Sequence, residues 1–566
     1  MGWGRYFFIL IFVAIQVIVP STVIVAGDRD ERVEKERKKV EENRQKRNRS
    51  RKRSDEDSRD DDSDDDSDDE DKVKLDKANP TQSAPANGGV ISLPDLSSAF
   101  ATPEQLQLGI MLGKALFWDQ QLGSGNGGNY ACASCHYSAG ADSQPDRILA
   151  GTFRPDASDK LTRGSLGVRY ANFIALKMET LGSDEVAAGR EIFTEEGEYA
   201  ITDRNAPPAV DSDSIHNFWD GRANYIFNGV DISGTAVPLP TRDGETTILQ
   251  IAAASQASQA VGPCLSPAEM SADGRTFADV GYKMCHSIPL RYQTGDIVDD
   301  LDGLGLRTHD GYLRLIQAAF SDGPLDGLLS SESRGVTTTV QNPSGAFEER
   351  EVSITEENFS VFFGVTVGIY EQTLVSVPKR YATKKQVDAF EEMRCHKCHY
   401  VDGRSHAVMG DVGQRPFSAT GVAPLREDRG VEEADQNLGS LIPNFDADPG
   451  EGQFKSTHLF NLPLTAPYFH DGSAETLEEM MDFYVRGGDF NKRNLDSHVR
   501  ELDVSAAEYK RVLKLMRQLT DPRIEAGTPP FSHPSLTIPL SDGREVRLSA
   551  SDEGLGGLHY TVRSQE

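Results

Sequence analysis

Cys132-Ala133-Ser134-Cys135-His136 and Cys395-His396-Lys397-Cys398-His399 set two thiols and an imidazole at one spacing, twice in one chain. Thiols three positions apart add to the two vinyl groups of a porphyrin, and the histidine that follows is held beneath the iron as an axial ligand. One copy alone could be a redox dithiol or half of a zinc site. Two copies, each closed by histidine, on a chain that starts with an export-type segment, point to two covalent c-type haems.

The elements that would position these groups are helices. Pro103 to Trp118 reads as a helix leading into the first motif, with Leu106, Ile110, Gly113 and Phe117 at helical spacing. The Gly-rich stretch from Gly123 to Gly128 ends it. Gln386 to Met393 is the corresponding helix before the second motif, and Thr476 to Val485 is a third, stopped by Gly487-Gly488. Few strands are expected. Polar, Gly- and Pro-rich segments at 230–250 and 286–350 read as loops. The expected class is mostly α: two cytochrome-c-like haem domains with long loops and insertions, each haem supplying apolar interior to a loop-rich chain.

Composition bounds the remainder. Arg5 precedes an apolar run from Tyr6 to Ala26 that ends Ala26-Gly27, a pattern for a cleaved signal peptide. Left uncleaved, a run of about 20 residues would tether the protein to a membrane. Either outcome places the body outside the cytoplasm, in the periplasm, where bacteria attach haem. The net charge of −30 over 566 residues is partly local: the Asp/Ser tract from Asp60 to Asp71 holds ten acidic residues and follows a Lys/Arg-rich run. Like charges repel there and no apolar residue nucleates a core, so a disordered linker is expected over 27–92, either a spacer or a lure for a basic redox partner. The body exceeds what one core normally supports. The expected division is a signal or anchor over 1–26, the linker, a first haem domain over 93–375, a second over 376–525 and an extension over 526–566. No nucleic-acid signal is present.

Several ordered motifs between about 95 and 520 resemble those of the bacterial di-haem cytochrome c peroxidases and their relative MauG. They are the first haem motif, Arg204-Asn205-Ala206-Pro207, Phe218-Trp219-Asp220-Gly221-Arg222-Ala223, Gln259-Ala260-Val261-Gly262-Pro263 with Glu269-Met270, the second haem motif, and Leu464 through Gly472 with its His470-Asp471-Gly472. The resemblance implies that the N-terminal haem meets hydrogen peroxide and that Gln259 and Glu269 form its distal pair. Peroxide heterolysis needs a proton carried from the inner to the outer oxygen, which a carboxyl in a dry pocket can do. Gln259 would hold the peroxide by hydrogen bonds, with Pro263 as pocket wall. Trp219 matches the tryptophan between the haems, and Arg222 a partner of a haem propionate. Asn205, Thr465 and Pro467 match ligands of a structural calcium, and oxygen-only ligation is what calcium requires. His470 matches a pocket or propionate position. His216, His396, His406 and His458 read as surface or packing residues.

Two departures from the family pattern carry chemistry. Fourteen residues after His470, where ordinary members carry a methionine ligand to the second haem, stands Tyr484. A phenolate favours higher oxidation states of iron than a thioether does. Met480 and Met481 lie one turn earlier, and Met481 is the competing ligand. Second, no histidine occurs between Tyr137 and Ile215, so a first haem that is five-coordinate or water-bound in the diferric state is expected, and a bis-histidine spectrum would refute this. Cys264 and Cys285 remain after the haem cysteines, and in an oxidising compartment a disulfide between them is the expectation.

Together these readings imply a peroxide-using di-haem oxidoreductase, with a small cytochrome c or cupredoxin as electron donor. The alternatives are MauG-like oxidation of residues on a protein substrate, an electron carrier with both irons six-coordinate, and a di-haem dioxygenase.

Overall fold

The structure is a computed structural model that describes residues 89–124, 130–137, 139–142, 164–169, 171–177, 184–188, 199–202, 204–212, 215, 217–377, 382–401, 408–410, 417–418, 454–488, 496–539, 545–551 and 560–563. The N-terminal signal and nearly all of the linker, with His216 and His406, lie outside the described residues. The linker expectation is corrected at its end. Gly89–Leu93 is a strand, not linker, because Val90, Ile91 and Leu93 pair in parallel with residues 247–251.

The helix before the first motif spans Pro103–Trp118, as its spacing predicts. Thr102 caps it by accepting from the Gln105 amide, Pro103 fits the first turn, and Leu112, Ala115 and Leu116 are fully buried. The surface they meet is a helix that periodicity reasoning overlooked. Phe359–Glu371 is buried along all 13 residues, and a helix that is apolar all round belongs inside a core. The two backbones nearly touch: a Cβ on Gly113 would lie 1.8 Å from the Thr366 carbonyl oxygen. The other face of Phe359–Glu371 takes Ser255–Val261, where Gly364 and Gly368 leave room for Phe227 and Ala257.

A second hydrophobic cluster holds Phe390, Met393, Leu477, Met480, Met481, Leu515 and Met516. Its helices are Lys384–Glu392, Leu477–Val485 and Ala506–Gln518. Thr476 and Glu479 form a capping box at the start of Leu477–Val485, and Gly487 and Gly488, both at positive φ, end it. A buried polar knot joins the two clusters. Asn461 Nδ2 donates to Ser376 Oγ at 2.7 Å, the Asp521 amide donates to Asn461 Oδ1 at 2.9 Å, and the Ser376 amide donates to Asp211 Oδ1 at 2.7 Å.

Helices carry the core, but the segments read as loops are largely ordered. Thr246–Ile251 and Pro238–Pro240 form a three-stranded sheet with Gly89–Leu93. Within 286–350, Gly311–Phe320 is a helix whose apolar face carries Tyr312, Leu315, Ile316, Ala319 and Phe320. Ser333–Gln341 and Phe347–Ser353 are paired antiparallel around the Asn342–Gly345 turn and complete a four-stranded sheet with 171–177 and 184–188. The β-branched run Val336-Thr337-Thr338-Thr339-Val340 favours a strand even in a polar stretch. That signal was masked by the Gly and Pro content. The extension is also structured: Leu536–Pro539, Glu545–Leu548 and Tyr560–Arg563 form an antiparallel sheet. Leu536 and Ile538 join the first core, and Thr537 and Ser535 bond to Gln120 and Gln293.

Candidate active site

The first haem motif forms a single helical turn, Ala133–His136, at the end of the loop that follows Trp118. His136 Nδ1 donates to the Gly140 carbonyl at 2.7 Å, which fixes the tautomer and leaves Nε2 as the basic nitrogen. Burial also lowers the imidazole's proton affinity, favouring the neutral form a metal needs. Cys132, Cys135 and His136 line a cavity of about 330 Å³. Gln259, Pro263 and Glu269, predicted as the distal group, line the same cavity. Gln259 is carried on Ser255–Val261, and Pro263 opens the following 3-10 turn. Glu269 stands in a turn in which the Ser266 carbonyl accepts from the amides of Glu269 and Met270. Burial raises its carboxyl, against the opposing pull of the Ser266 hydroxyl and the Arg222 charge.

The second motif begins a 3-10 turn at Cys395 and ends at the strand His399–Val401. Cys395, Cys398 and His399 line a second cavity of about 180 Å³ together with Met480, Met481 and Tyr484. Both candidate upper ligands are therefore present. Tyr484 packs edge-on to Phe469 and Phe483. Burial pushes its phenol up, and the Cys398 and Cys395 sulfurs act in the same direction, which sets the ring beside the attachment thiols. Each cavity pairs two thiols with an imidazole, the donor set a c-type haem requires.

Trp219 lines both cavities, as does Asn205. The indole Nε1 donates to the Asn205 carbonyl at 2.7 Å, and the Trp219 carbonyl accepts from the Lys455 amide at 2.7 Å. Next to it, Asp220 is buried and paired with Arg204 at 2.6 Å and Arg222 at 2.9 Å. Burial alone would raise the Asp220 carboxyl, but Arg222 and Arg204 outweigh it and hold it below the usual range. Arg222, assigned by resemblance to a propionate, thus lines the first cavity while held by Asp220 and lying over the Phe218 ring, 4.3 Å from its centroid.

Asn205 and Pro467 come together, and Thr465 lines the second cavity with them. As placed, Asn205 Nδ2 donates to the Pro467 carbonyl at 2.9 Å. The Asn205 side-chain amide thus lies within hydrogen-bond reach of the Pro467 carbonyl, two of the groups that the family resemblance assigns to calcium. His470 is buried against Phe454, with ring centroids 3.7 Å apart, and its carbonyl accepts from the Asn205 amide. His458 packs beside Phe460 and contacts the Val210 carbonyl at 3.2 Å. The expected disulfide is absent: Cys264 and Cys285 are both buried and free. The Cys264 thiol faces the Ala260 carbonyl at 3.7 Å beside Arg275 and Glu269, whereas Cys285 ends the Phe277–Cys285 helix beside Glu356. The expectation rested on two remaining cysteines in an oxidising compartment, and their separate settings, a 3-10 turn and the end of the Phe277–Cys285 helix, do not form the bridge.

Sequence reasoning missed Glu371. It ends the apolar Phe359–Glu371 helix, is 5% exposed and lines the first cavity, and burial pushes its carboxyl up to about 8. Its signal was available: a lone carboxylate closing a run of 12 apolar or small residues is costly unless a site uses it.

Residues 107–353 match the family model described as di-haem cytochrome c peroxidase. A cytochrome c551 peroxidase of Nitrosomonas europaea is 34% identical over 103 residues, which are 18% of this chain and 26% of that protein. The chain thus spans about a quarter of the length of the relative it matches. Among solved structures, a MauG-like protein associated with microbial copper homeostasis is 19% identical, with 80% of this chain and 98% of that one covered and a TM-score of 0.39. The diheme peroxidase BthA from Burkholderia thailandensis is 15% identical, with 78% and 92% covered and a TM-score of 0.39.

Proposed function

We propose that this chain, whose residues 107–353 match the di-haem cytochrome c peroxidase family model, is an exported oxidoreductase of that family that reduces hydrogen peroxide in the His136 cavity. Cys132, Cys135 and His136 would hold one haem and Cys395, Cys398 and His399 the other, supplying one-electron chemistry and a site for peroxide. Bodies over 93–375 and 376–525 would each carry one. The overall change adds two electrons and two protons to hydrogen peroxide and releases two waters.

The chain's own residues would manage protons and electrons. The Gln259 amide donates to the peroxide and fixes its orientation. Glu269, whose carboxyl is raised by burial, takes the proton from the inner oxygen and returns it to the outer one, which then leaves as water. Trp219 couples the cavities electronically. A small cytochrome c or cupredoxin replaces the electrons. The observation that carries this reading is that Gln259, Pro263 and Glu269 share a cavity with His136, while Trp219 lines both cavities.

Tyr484 favours a second reading for the reductant. Tyr484 would help hold the second haem as a phenolate, which favours higher oxidation states of iron, and the electrons would then come from residues on a protein substrate, as in MauG-type maturation. One experiment separates these readings: absorbance from the haem bands into the near infrared after one equivalent of peroxide is added to the diferric protein. A rapid change, slowed about 100-fold or more in Glu269→Gln, supports peroxide reduction. A near-infrared band shared between the haems favours the protein substrate. An unchanged spectrum before and after one-electron reduction leaves an electron carrier.

A further inference from the structure

Trp219 is not the only tryptophan near a cavity. Behind His136 lies a small cavity lined by Phe117, Trp118, Tyr370 and, from the C-terminal extension, Phe531 and His533. Phe117 lines both this cavity and the first haem cavity. Its ring is 6.4 Å from that of His136, 5.6 Å from Tyr370 and 6.0 Å from Trp118, centroid to centroid. Trp118 Nε1 donates to Tyr370 Oη at 3.2 Å in a buried contact. The other side of the indole stacks on His533, with centroids 5.0 Å apart and planes 17° apart. Beyond it, the Arg523 guanidinium covers Phe531 at 5.2 Å, and the Arg523 side chain is 36% exposed.

Ring-to-ring contact thus runs from the axial histidine to His533 of the extension, with Phe531 lining the same small cavity under the part-exposed Arg523, on elements separate from those that carry Trp219. Tryptophan and tyrosine are the side chains most easily oxidised by one electron, and these two share a hydrogen bond away from water. We propose, on the peroxide reading above, that Phe117, Trp118 and Tyr370 form an electron relay on the His136 side, through which oxidising equivalents leave the first haem toward the C-terminal extension when no donor is present. In the step, one electron passes from the Trp118 indole through the Phe117 ring to the haem oxidised by hydrogen peroxide. The indole becomes a radical cation that keeps its proton on Nε1, hydrogen-bonded to Tyr370 Oη, so no proton acceptor is required. A one-electron donor at the surface, such as ascorbate, restores it. The extension has a defined part in this arrangement. His533 closes the outer face of Trp118, and the Lys114 amine donates to Ser532 Oγ at 2.9 Å, fastening that cover.

The test uses the full-length, haem-loaded protein, mixed with one equivalent of peroxide without donor and frozen at intervals. Haem absorbance and electron paramagnetic resonance are read on the same samples, and oxidised residues are mapped by mass spectrometry. The expected result is a tryptophan radical that grows as the haem bands relax, with oxidation products at Trp118. In Trp118→Phe the radical falls at least about tenfold and the oxidised haem persists longer. Tyr370→Phe keeps the ring and removes only the hydroxyl, so it tests the relay even if Trp118→Phe does not fold: the radical's nitrogen couplings change with loss of the hydrogen bond. A haem response to peroxide with no radical, or with a radical unchanged in both variants, overturns the relay alone. No haem response overturns the peroxide reading and the relay with it.

Discussion

Replacing Asp220 by asparagine removes the one carboxylate shared by Arg204 and Arg222, directly beside the tryptophan that lines both cavities. The carboxylate and Arg204 are nearly sealed from water, with side chains 2% and 8% exposed, whereas Arg222 is 31% exposed. Removing one partner of a buried ion pair leaves an uncompensated charge and costs about 3–5 kcal/mol. Asparagine keeps one acceptor oxygen, so the lower end, about 3 kcal/mol, is expected from Arg204. The solvent-screened contact with Arg222 adds less than about 1 kcal/mol. At roughly 2 °C per kcal/mol for a chain of this size, thermal unfolding followed by circular dichroism should fall by about 6 °C in Asp220→Asn, and by no more than about 2 °C in Arg222→Gln. The pH dependence checks the cause. Asp220 is held below the usual carboxylate range by its arginines. Its stabilising contribution is therefore complete above the unfolded-state value near 4, and is lost as pH falls through the lower folded-state value. Wild type and Asp220→Asn should converge in acid. Equal losses for the two variants at neutral pH, or a gap that persists in acid, would show that this cluster is not held by charge.

Glu371, raised to about 8 by burial, has the opposite sign: its contribution is greatest below the unfolded value near 4.5 and declines as pH rises toward 8. Glu371→Gln should therefore unfold later than wild type at pH 9, by up to about 5 kcal/mol, and match it at about pH 4 in guanidinium titrations. Tyr484→Phe should alter the absorption and potential of one haem while Met481→Leu alters neither, and the reverse result would assign the upper ligand to Met481. Gly113→Ala should cost about 3 kcal/mol or more, because the added methyl meets the Thr366 carbonyl oxygen at 1.8 Å; unchanged unfolding would mean the helix crossing is looser. Alkylation of the denatured, unreduced haem-loaded protein should label Cys264 and Cys285, both free in the structure, and no labelling would restore the disulfide.

The chemistry of this chain was written in short sequence motifs because covalent and ligand chemistry is local. Two thiols and an imidazole must be close along the chain to grip one porphyrin, so Cys132–His136 and Cys395–His399 were legible at once. The Pro103–Trp118 helix was legible too, since its cap, its proline and its apolar spacing agree. Other features depend on what packs against what. Phe359–Glu371 lacks a polar face to give it a period, and its place between two helices follows from glycines that admit neighbouring atoms. Strands in 238–251 and 333–353 needed partners far along the chain. Cys264 and Cys285 looked like a bridge because they were the cysteines left over in an oxidising compartment, and sequence says nothing about the direction in which a thiol points. The pairing of Asp220 with two arginines, the Asn205 donor set on the Pro467 carbonyl, and the stacking of His533 on Trp118 were decided by tertiary structure alone. Each joins groups whose proximity arises only when apolar surface is buried, and a buried charge or ring then takes whichever partner the closed core leaves within reach.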